Sequence, residues 1–437
     1  MRLAILTAGT RGDVEPYLAL ALGLRRAGYD VTVAADPNFA SFVTSRSVSF
    51  APLRADFFAL FHSERGKALM AGKPPWRLAG VLPEVMQMRQ QMMKDAWAVL
   101  QDADAVVYHP RVLGAYDAVE KLGIPAVLAD CLPGLVPTNR FPLPLCPWLG
   151  LGGLANRLSY SAVHLAPLPF LRIRNRWRVR GLGLPPRPWL ASDFRRNGRP
   201  LPVLYHFSRH VIEPSPEWRG RAEVTGFWFL DTPDGWQPPP ALAQFLAAGP
   251  PPVYVGFGSM VSHQAERVTG MIVESLRRCG LRGILMTGWG GLAKVPRSAT
   301  LFPLESVPHG WLFPRVAAVV HHGGVGTTAA ALRAGKPALV CPFFYDQPFW
   351  GSRVYDLGVG PRPIAQGRLS VDGLAAAFRA LATDEGMRLR AAELGGKIRA
   401  EDGVGRAVAW VAAFLAKHSK TRRAPGRRSL RDVGGIF

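Results

Sequence analysis

The sequence predicts an α/β protein made of two Rossmann-like domains, and three stretches carry that prediction. They are the opening MRLAILTAGTRGDVEPYLALALGLRRAGYDVTVAAD, the segment PPVYVGFGSM beyond the middle of the chain, and the unit VAAVVHHGGVGTTAAALRAGKPALV. Each is a short apolar strand that enters a glycine-containing turn, and the first and third continue directly into a helix and a second strand. That order belongs to a parallel sheet covered by helices. With 437 residues, 48% of them hydrophobic, the chain is long enough for two cores of ordinary size.

Taken in order, the first unit begins with the strand LAILTA and the loop GTRGD. Leu18, Leu20, Ala21, Leu22 and Leu24 then give a helix a broad apolar face that Gly28 closes. The loop sets Thr10, Arg11 and Asp13 at the carboxyl end of the first strand, where ligands of open α/β sheets sit. Asp13 stands shortly before Pro16, which suits a helix N-cap. A carboxylate at a strand end facing a cleft also suits a base that takes a proton from a hydroxyl. Both roles stay open, one oxygen serving each.

Residues 132–171 are rich in Pro, Leu and aromatics without steady periodicity. The segment reads equally as a core covering, the lining of an acceptor cleft, or a surface that touches a bilayer. TPDGWQPPP, residues 232–240, has the composition of an interdomain linker. After it, PVYVGFGSM ends in Gly256, Gly258 and Ser259, the helix VTGMIVESLRRCG follows, and the strand GILMTGW continues the alternation. In the third unit the strand VAAVV runs into His321, His322, Gly323 and Gly324, and the helix TTAAALRAG ends at Gly335. A glycine turn at a helix N-terminus offers unpaired N–H groups and the positive end of the dipole, an anion site suited to phosphate. Ala329 stands where a full G-x-G-x-x-G would place its third glycine, so the glycines alone fit a plain tight turn as well.

Composition narrows the classes. Cys131, Cys146, Cys279 and Cys341 lack C-x-x-C spacing, which argues against a zinc site or a disulfide framework and for a reducing compartment. The apolar run at the N-terminus is too short for a signal peptide and no stretch is long enough to span a bilayer. The expectation is a cytoplasmic protein, peripheral at a membrane. The net charge of +22 is concentrated: nine arginines between Arg172 and Arg199 face only Asp193, and seven basic residues from Lys417 onward face only Asp432. Such patches attract nucleic acid, anionic lipid headgroups or only solvent. No helix-turn-helix, zinc-finger, RRM or KH signature is present, so no nucleic-acid partner is expected and an anionic membrane surface is preferred.

GTRGDVEP near the start, and HHGGVGTT followed by DQPFW, resemble the sterol 3-β-glucosyltransferases and the glycopeptide-antibiotic glycosyltransferases. PVYVGFGS, TGWGGL, NRWRVRGLGLPP and VTGFWFLD are similar to the sterol group. The resemblance runs over residues 1–415 with gaps in the middle. It implies the GT-B architecture, two Rossmann-like domains facing a central cleft: residues 1–231 for the acceptor, a linker at 232–240, residues 241–416 for the nucleotide sugar, and a basic, disordered tail at 417–437.

The same resemblance implies roles. His322, Gly324, Gly326, Thr327 and Thr328 hold the donor diphosphate, with the Gly258–Ser259 turn against it, and Asp346 and Gln347 bind the sugar hydroxyls. Ser259 also reads as a turn residue, and Trp289 as packing. Asp13 is the general base, beside Thr10 and Arg11 in the acceptor loop. The implied reaction is inverting transfer of a sugar, glucose first, from a UDP-sugar co-substrate to a hydrophobic acceptor such as a sterol, hopanoid or other lipid, with no cofactor and no metal. A polyketide or peptide acceptor with a UDP- or TDP-sugar is the alternative among transferases, an epimerase of the same architecture is another, and a non-catalytic basic lipid-binding protein is a third. The chain departs from plant and glucuronosyl relatives in two places: the N-terminal loop has no His, and the ribose-binding Glu is replaced within AAAL.

Overall fold

The computed structural model describes residues 1–54, 82–146, 152–165, 168–189, 191–196, 198–232, 235–258, 265–288 and 292–422. The first sheet contains β1 (Arg2–Leu6), β2 (Asp30–Ala35), β3 (Ser49–Pro52), β4 (Ala105–Tyr108), β5 (Ala126–Asp130), β8 (Val203–Tyr205) and β9 (Ala222–Val224). A small hairpin, β6 (Arg195–Arg196) with β7 (Arg199–Pro200), stands apart. The second sheet contains β10 (Val253–Gly256), β11 (Gly283–Met286), β12 (Leu301–Leu304), β13 (Ala318–His321) and β14 (Ala338–Val340). The seven strands of the first sheet run in the order β3-β2-β1-β4-β5-β8-β9 and the five of the second in the order β12-β11-β10-β13-β14. Every neighbouring pair in both is parallel. In each sheet the strand order reverses beside the strand that opens the domain, between β1 and β4 and between β10 and β13. Those reversals leave a crevice at the carboxyl ends of the strands, the place where such folds bind ligands.

The strands read as continuous apolar runs because both faces of a parallel sheet are covered; β4 and β10 are buried throughout. The first helix, Arg11–Arg26, starts earlier than a cap at Asp13 requires. Thr10 is the N-cap in extended backbone, and Asp13, at the third helical position, accepts from the Thr10 N–H at 2.7 Å. Asp13 therefore does cap, as the returning arm of a capping box and not as the N-cap residue expected from Pro16.

The last helix, Gly403–Arg422, corrects the expected domain boundary. Its Ala407, Val411 and Leu415 are buried in one cluster with Leu18, Leu20 and Leu24 of the first helix. A methyl group on Gly23 would lie 2.7 Å from Val404, so the two helices approach closely. This apolar stripe, four residues apart, needs a covered face, and the first helix supplies one almost the whole chain away. Residues 403–416 thus pack on the first domain, and the basic tail expected from 417 continues this helix to Arg422; its remainder, 423–437, lies outside the described residues. The outgoing connector and the returning chain meet at Gly226–Phe227 and Gly403: a methyl on Gly403 would lie 2.2 Å from the Phe227 carbonyl oxygen, and Gly226 has a left-handed backbone (φ 102°) that favours glycine.

The arginine-rich stretch is partly internal. Arg174 and Arg178 are buried and both bond Asp117, which is fully buried on the helix Ala115–Leu122, at 2.5–2.9 Å. Asp193 and Glu120 complete the network. A buried cation without its carboxylate costs several kcal/mol, so these arginines clamp the helix Leu171–Leu182 to its neighbour. Arg172, Arg176 and Arg180 of that helix remain exposed.

Candidate active site

The two crevices face each other across one cleft of 1770 Å³. On the first-domain side, the loop after β1 presents Asp13. Its Oδ2 accepts from the Thr10 N–H at 2.7 Å and from the Thr10 hydroxyl at 3.1 Å, and its Oδ1 accepts from Arg111 Nη1 at 2.9 Å. The Thr7 hydroxyl bonds the Asp13 carbonyl. Arg11 lines the same cleft, paired with Glu15 at 3.1 Å and resting over the Phe42 ring.

Behind Asp13, the end of β4 carries His109 and Arg111, and the end of β5 carries Asp130. His109 Nδ1 accepts the Arg111 N–H at 3.0 Å, which leaves the ring proton on Nε2, 3.7 Å from Asp130 Oδ1. Burial pushes the Asp130 carboxyl up, but His109 and the Leu132 N–H outweigh it and hold the group below its ordinary value. His206 stacks on Trp228, and burial holds its imidazole at about 4, so it is neutral at ordinary pH.

On the second-domain side, the helix Val325–Arg333 begins directly after the glycine turn, with Gly324 as N-cap and no side-chain cap. By helix geometry its first N–H groups lack intrahelical partners. They open on the cleft beside Gly326 and Thr327. The His322 ring lies between Gly324 and Gly258: a methyl on the first would sit 2.5 Å from Nε2 and on the second 3.1 Å from Cε1. Only glycines let the imidazole into that slot. Burial lowers its pKa to about 4, so His322 is a neutral ring, and its Nδ1 is buried without a hydrogen-bond partner.

After β14, Tyr345 adopts a left-handed backbone (φ 61°) and turns Asp346 into the cleft. Asp346 Oδ2 accepts from Trp350 Nε1 at 3.1 Å. Burial pushes this carboxyl up to about 7, with Arg111 opposing the rise and Asp13 adding to it. Gln347 is buried, and its side-chain carbonyl accepts the Phe343 N–H at 2.8 Å and the Phe344 N–H at 3.3 Å, so it shapes the loop that presents Asp346.

The structure thus brings Thr10, Arg11, Asp13, Gly258, His322, Gly324, Gly326, Thr327, Asp346 and Gln347 to one cleft. Thr328 is not among its lining: it is buried, and its hydroxyl donates to the Gly324 carbonyl at 3.0 Å within the helix. Ser259 and Trp289 lie outside the described residues. Arg111, His109, Asp130 and Tyr345 were not picked out from the sequence, although the end of β4 obeys the same rule that picked out Asp13. The irregular segment after β5 contributes Leu135, Leu143, Leu145, Val163 and Phe170 to the cleft wall, while Leu154, Leu158 and Leu165 are 70%, 62% and 54% exposed.

Residues 3–133 match the glycosyltransferase family 28 N-terminal domain, and residues 289–404 match the erythromycin biosynthesis protein CIII-like C-terminal domain. A sterol 3-beta-glucosyltransferase of Arabidopsis thaliana is 37% identical, over 93% of this chain and 64% of that protein. A second from the same plant is 36% identical over 93% of this chain and 67% of its own length. The chain belongs to the sterol 3-beta-glucosyltransferase family. It spans 64% of the first of these relatives, and 29% of the corresponding protein of Emericella nidulans, which is 34% identical. Among solved structures, the glycotransferase of kitacinnamycin superposes with a TM-score of 0.71 at 20% identity, over 94% of this chain and 98% of that one. The calicheamicin glycosyltransferase does so with a TM-score of 0.65 at 20% identity, over 97% and 99%. These likenesses establish the GT-B fold of this family member, as the paired βαβ units predict. Among its described residues, no group of three or more His, Cys, Asp or Glu side chains is arranged to hold a metal ion, and no helix is long and apolar enough to cross a membrane.

Proposed function

We propose that this sterol glucosyltransferase relative transfers glucose from UDP-glucose to the hydroxyl of a sterol or similar lipid alcohol, with inversion at the anomeric carbon. The observation that carries the reading is the meeting, in one cleft, of a carboxylate at the β1 end and an uncapped helix N-terminus at the β13 end, beside a wall of Leu, Val and Phe side chains. The acceptor oxygen attacks the anomeric carbon, its proton passes to Asp13, and the bond to the β-phosphate oxygen breaks with its electron pair leaving on UDP. The N–H groups of Val325, Gly326 and Thr327, the dipole behind them and the neutral His322 ring stabilise the charge that develops there. Asp346 accepts from sugar hydroxyls, and Gln347 supports it through the loop backbone.

The same segment supports a reading of location. Its inner residues line the cleft, and Leu154 and Leu158 point outward on the short helix Gly153–Ser159, ahead of exposed Arg172, Arg176 and Arg180. This composition suits a peripheral seat on an anionic bilayer, from which a lipid acceptor enters. The match of residues 289–404 to the erythromycin biosynthesis protein CIII-like C-terminal domain supports a second reading, transfer from a TDP-sugar to a polyketide.

The deciding experiment incubates the protein with UDP-glucose and vesicles with and without sterol, and follows UDP release and hexosylated lipid by mass spectrometry. Sterol-dependent release with a glucosylated product is expected. Release with TDP-sugars and polyketide acceptors alone moves the assignment to the second reading, and failure to bind either nucleotide ends both.

A further inference from the structure

Arg111 is held at the centre of the cleft by more contacts than a surface arginine needs. Its N–H is fixed by His109 Nδ1 at 3.0 Å, and its carbonyl accepts from Arg89 Nη1 at 2.9 Å on the helix Leu82–Gln101. Its guanidinium bonds Asp13 Oδ1 at 2.9 Å and lies 5.1 Å from the centre of the Tyr345 ring, on the opposite domain. Burial, and then repulsion from the Arg111 charge, lowers the Arg89 pKa to about 10. A fold that accepts this cost obtains a cation paired with Asp13 of the first domain and packed on Tyr345 of the second, whose neighbour Asp346 feels its charge.

We propose that Arg111 is the positioning residue for the general base: it fixes the orientation of the Asp13 carboxylate and stands as the shared counter-ion that lets Asp13 and Asp346 occupy one closed cleft. The proposal rests on the transferase reading above. Oδ2 of Asp13 is taken by Thr10, and Oδ1 keeps a second lone pair beyond its bond to Arg111, so the acceptor proton goes to Oδ1. Arg111 gives up no proton; it sets where that lone pair points. The contact with Tyr345 makes the arrangement depend on both domains being in place.

Charged and titratable groups facing this pair come from every side. Glu15 and Tyr17 lie on the first helix, Arg89 on the helix behind, and His109, Asp130, Cys131 and His206 at the ends of β4, β5 and β8. Tyr345 and Asp346 face it from the second domain. Neutral His206 and a Tyr17 hydroxyl pushed well up by burial contribute no charge at ordinary pH. Asp130 and Asp346 also feel the Arg111 charge, which works to lower the pKa of each.

The test compares Arg111→Met and Arg111→Lys with the unaltered enzyme in steady-state transfer from UDP-glucose to sterol across acidic to alkaline pH, with UDP affinity measured by calorimetry. Arg111→Met is expected to lose about 10–100-fold in kcat while UDP affinity is kept, because Asp13 loses the bond that fixes its Oδ1 toward the acceptor. Arg111→Lys restores part of the rate but not all of it, since an ammonium replaces the charge but cannot reproduce the fixed fork. In the ligand-free protein, the stability lost in Arg111→Met is expected to be larger above about pH 7, where Asp346 is ionised, than below it, because Arg111 favours the ionised form of that carboxyl. UDP affinity that falls in step with kcat, or a stability loss independent of pH, overturns the proposal; if Arg111→Met does not fold, Arg111→Gln carries the same readings. Absence of transfer by the unaltered enzyme is instead a failure of the functional reading, and the stability comparison then decides the counter-ion role alone.

Discussion

At the scale of single residues, the site is governed by how carboxylates are held. Asp13 has one oxygen on Thr10 and the other on Arg111, so both cap and candidate base are the same group. Asp13→Asn keeps the amide oxygen that can face Thr10 but removes the proton acceptor. Transfer is expected to fall by about 10²–10⁴-fold with UDP affinity retained, as read by kinetics and calorimetry; full activity in that variant removes Asp13 from the base role. Asp346 gives a stability signature. Its folded-state carboxyl is raised from 3.8 to about 7, so between those values the folded state holds a proton that the unfolded chain has released. Stability contributed by this group is present below the lower value and lost as pH rises through the upper, by at most about 1.4 kcal/mol per unit. Asp346→Asn should flatten that fall, which denaturation at several pH values will measure. Asp13 was legible because a motif and a strand-end rule agreed on it. Arg111 was not, because a lone Arg after a proline has no spacing pattern, and only the pairing of β1 with β4 sets it against Asp13.

The elements carry the next level of order. Short unbroken apolar runs that enter a glycine turn marked β1, β10 and β13 and the helices that follow them, since short parallel strands are buried on both faces and turns at their ends need glycine. What the pattern could not rank was the use of each hydroxyl in the turn: Thr327 and Thr328 are equivalent in sequence, yet one lies at the cleft and the other donates back to Gly324. The helix repeat turns adjacent positions about 100° apart, which decides the matter. The glycine slot around His322 makes a sharper prediction. Gly324→Ala places a methyl 2.5 Å from Nε2 and must displace the ring. UDP affinity is expected to drop about tenfold or more while the fold loses about 1–3 kcal/mol. Unchanged affinity measured by calorimetry counts against the donor role of this turn.

For the whole molecule, the order of the two sheets follows from the alternation of strands and helices, but the return of the last helix to the first domain does not. Its stripe of Ala407, Val411 and Leu415 reads as an ordinary amphipathic face, and nothing local names the partner. Val411→Asp places a charge in the shared core and is expected to cost about 3 kcal/mol or more. Thermal or denaturant unfolding followed by Trp228, buried in that same core, reports the loss; a stability change under about 0.5 kcal/mol would mean that the helix is not part of that cooperative unit. Because the chain leaves the first domain after Gly226 and comes back at Gly403, with the two passages in contact at glycines, the domains are joined by a double strap and not a single thread. A single thread lets two bodies swing and twist about one another freely; two straps fastened side by side leave one easy axis. Any relative movement of the two domains would then be a rocking about that line, one that keeps Asp13 and the glycine-turn helix in mutual alignment.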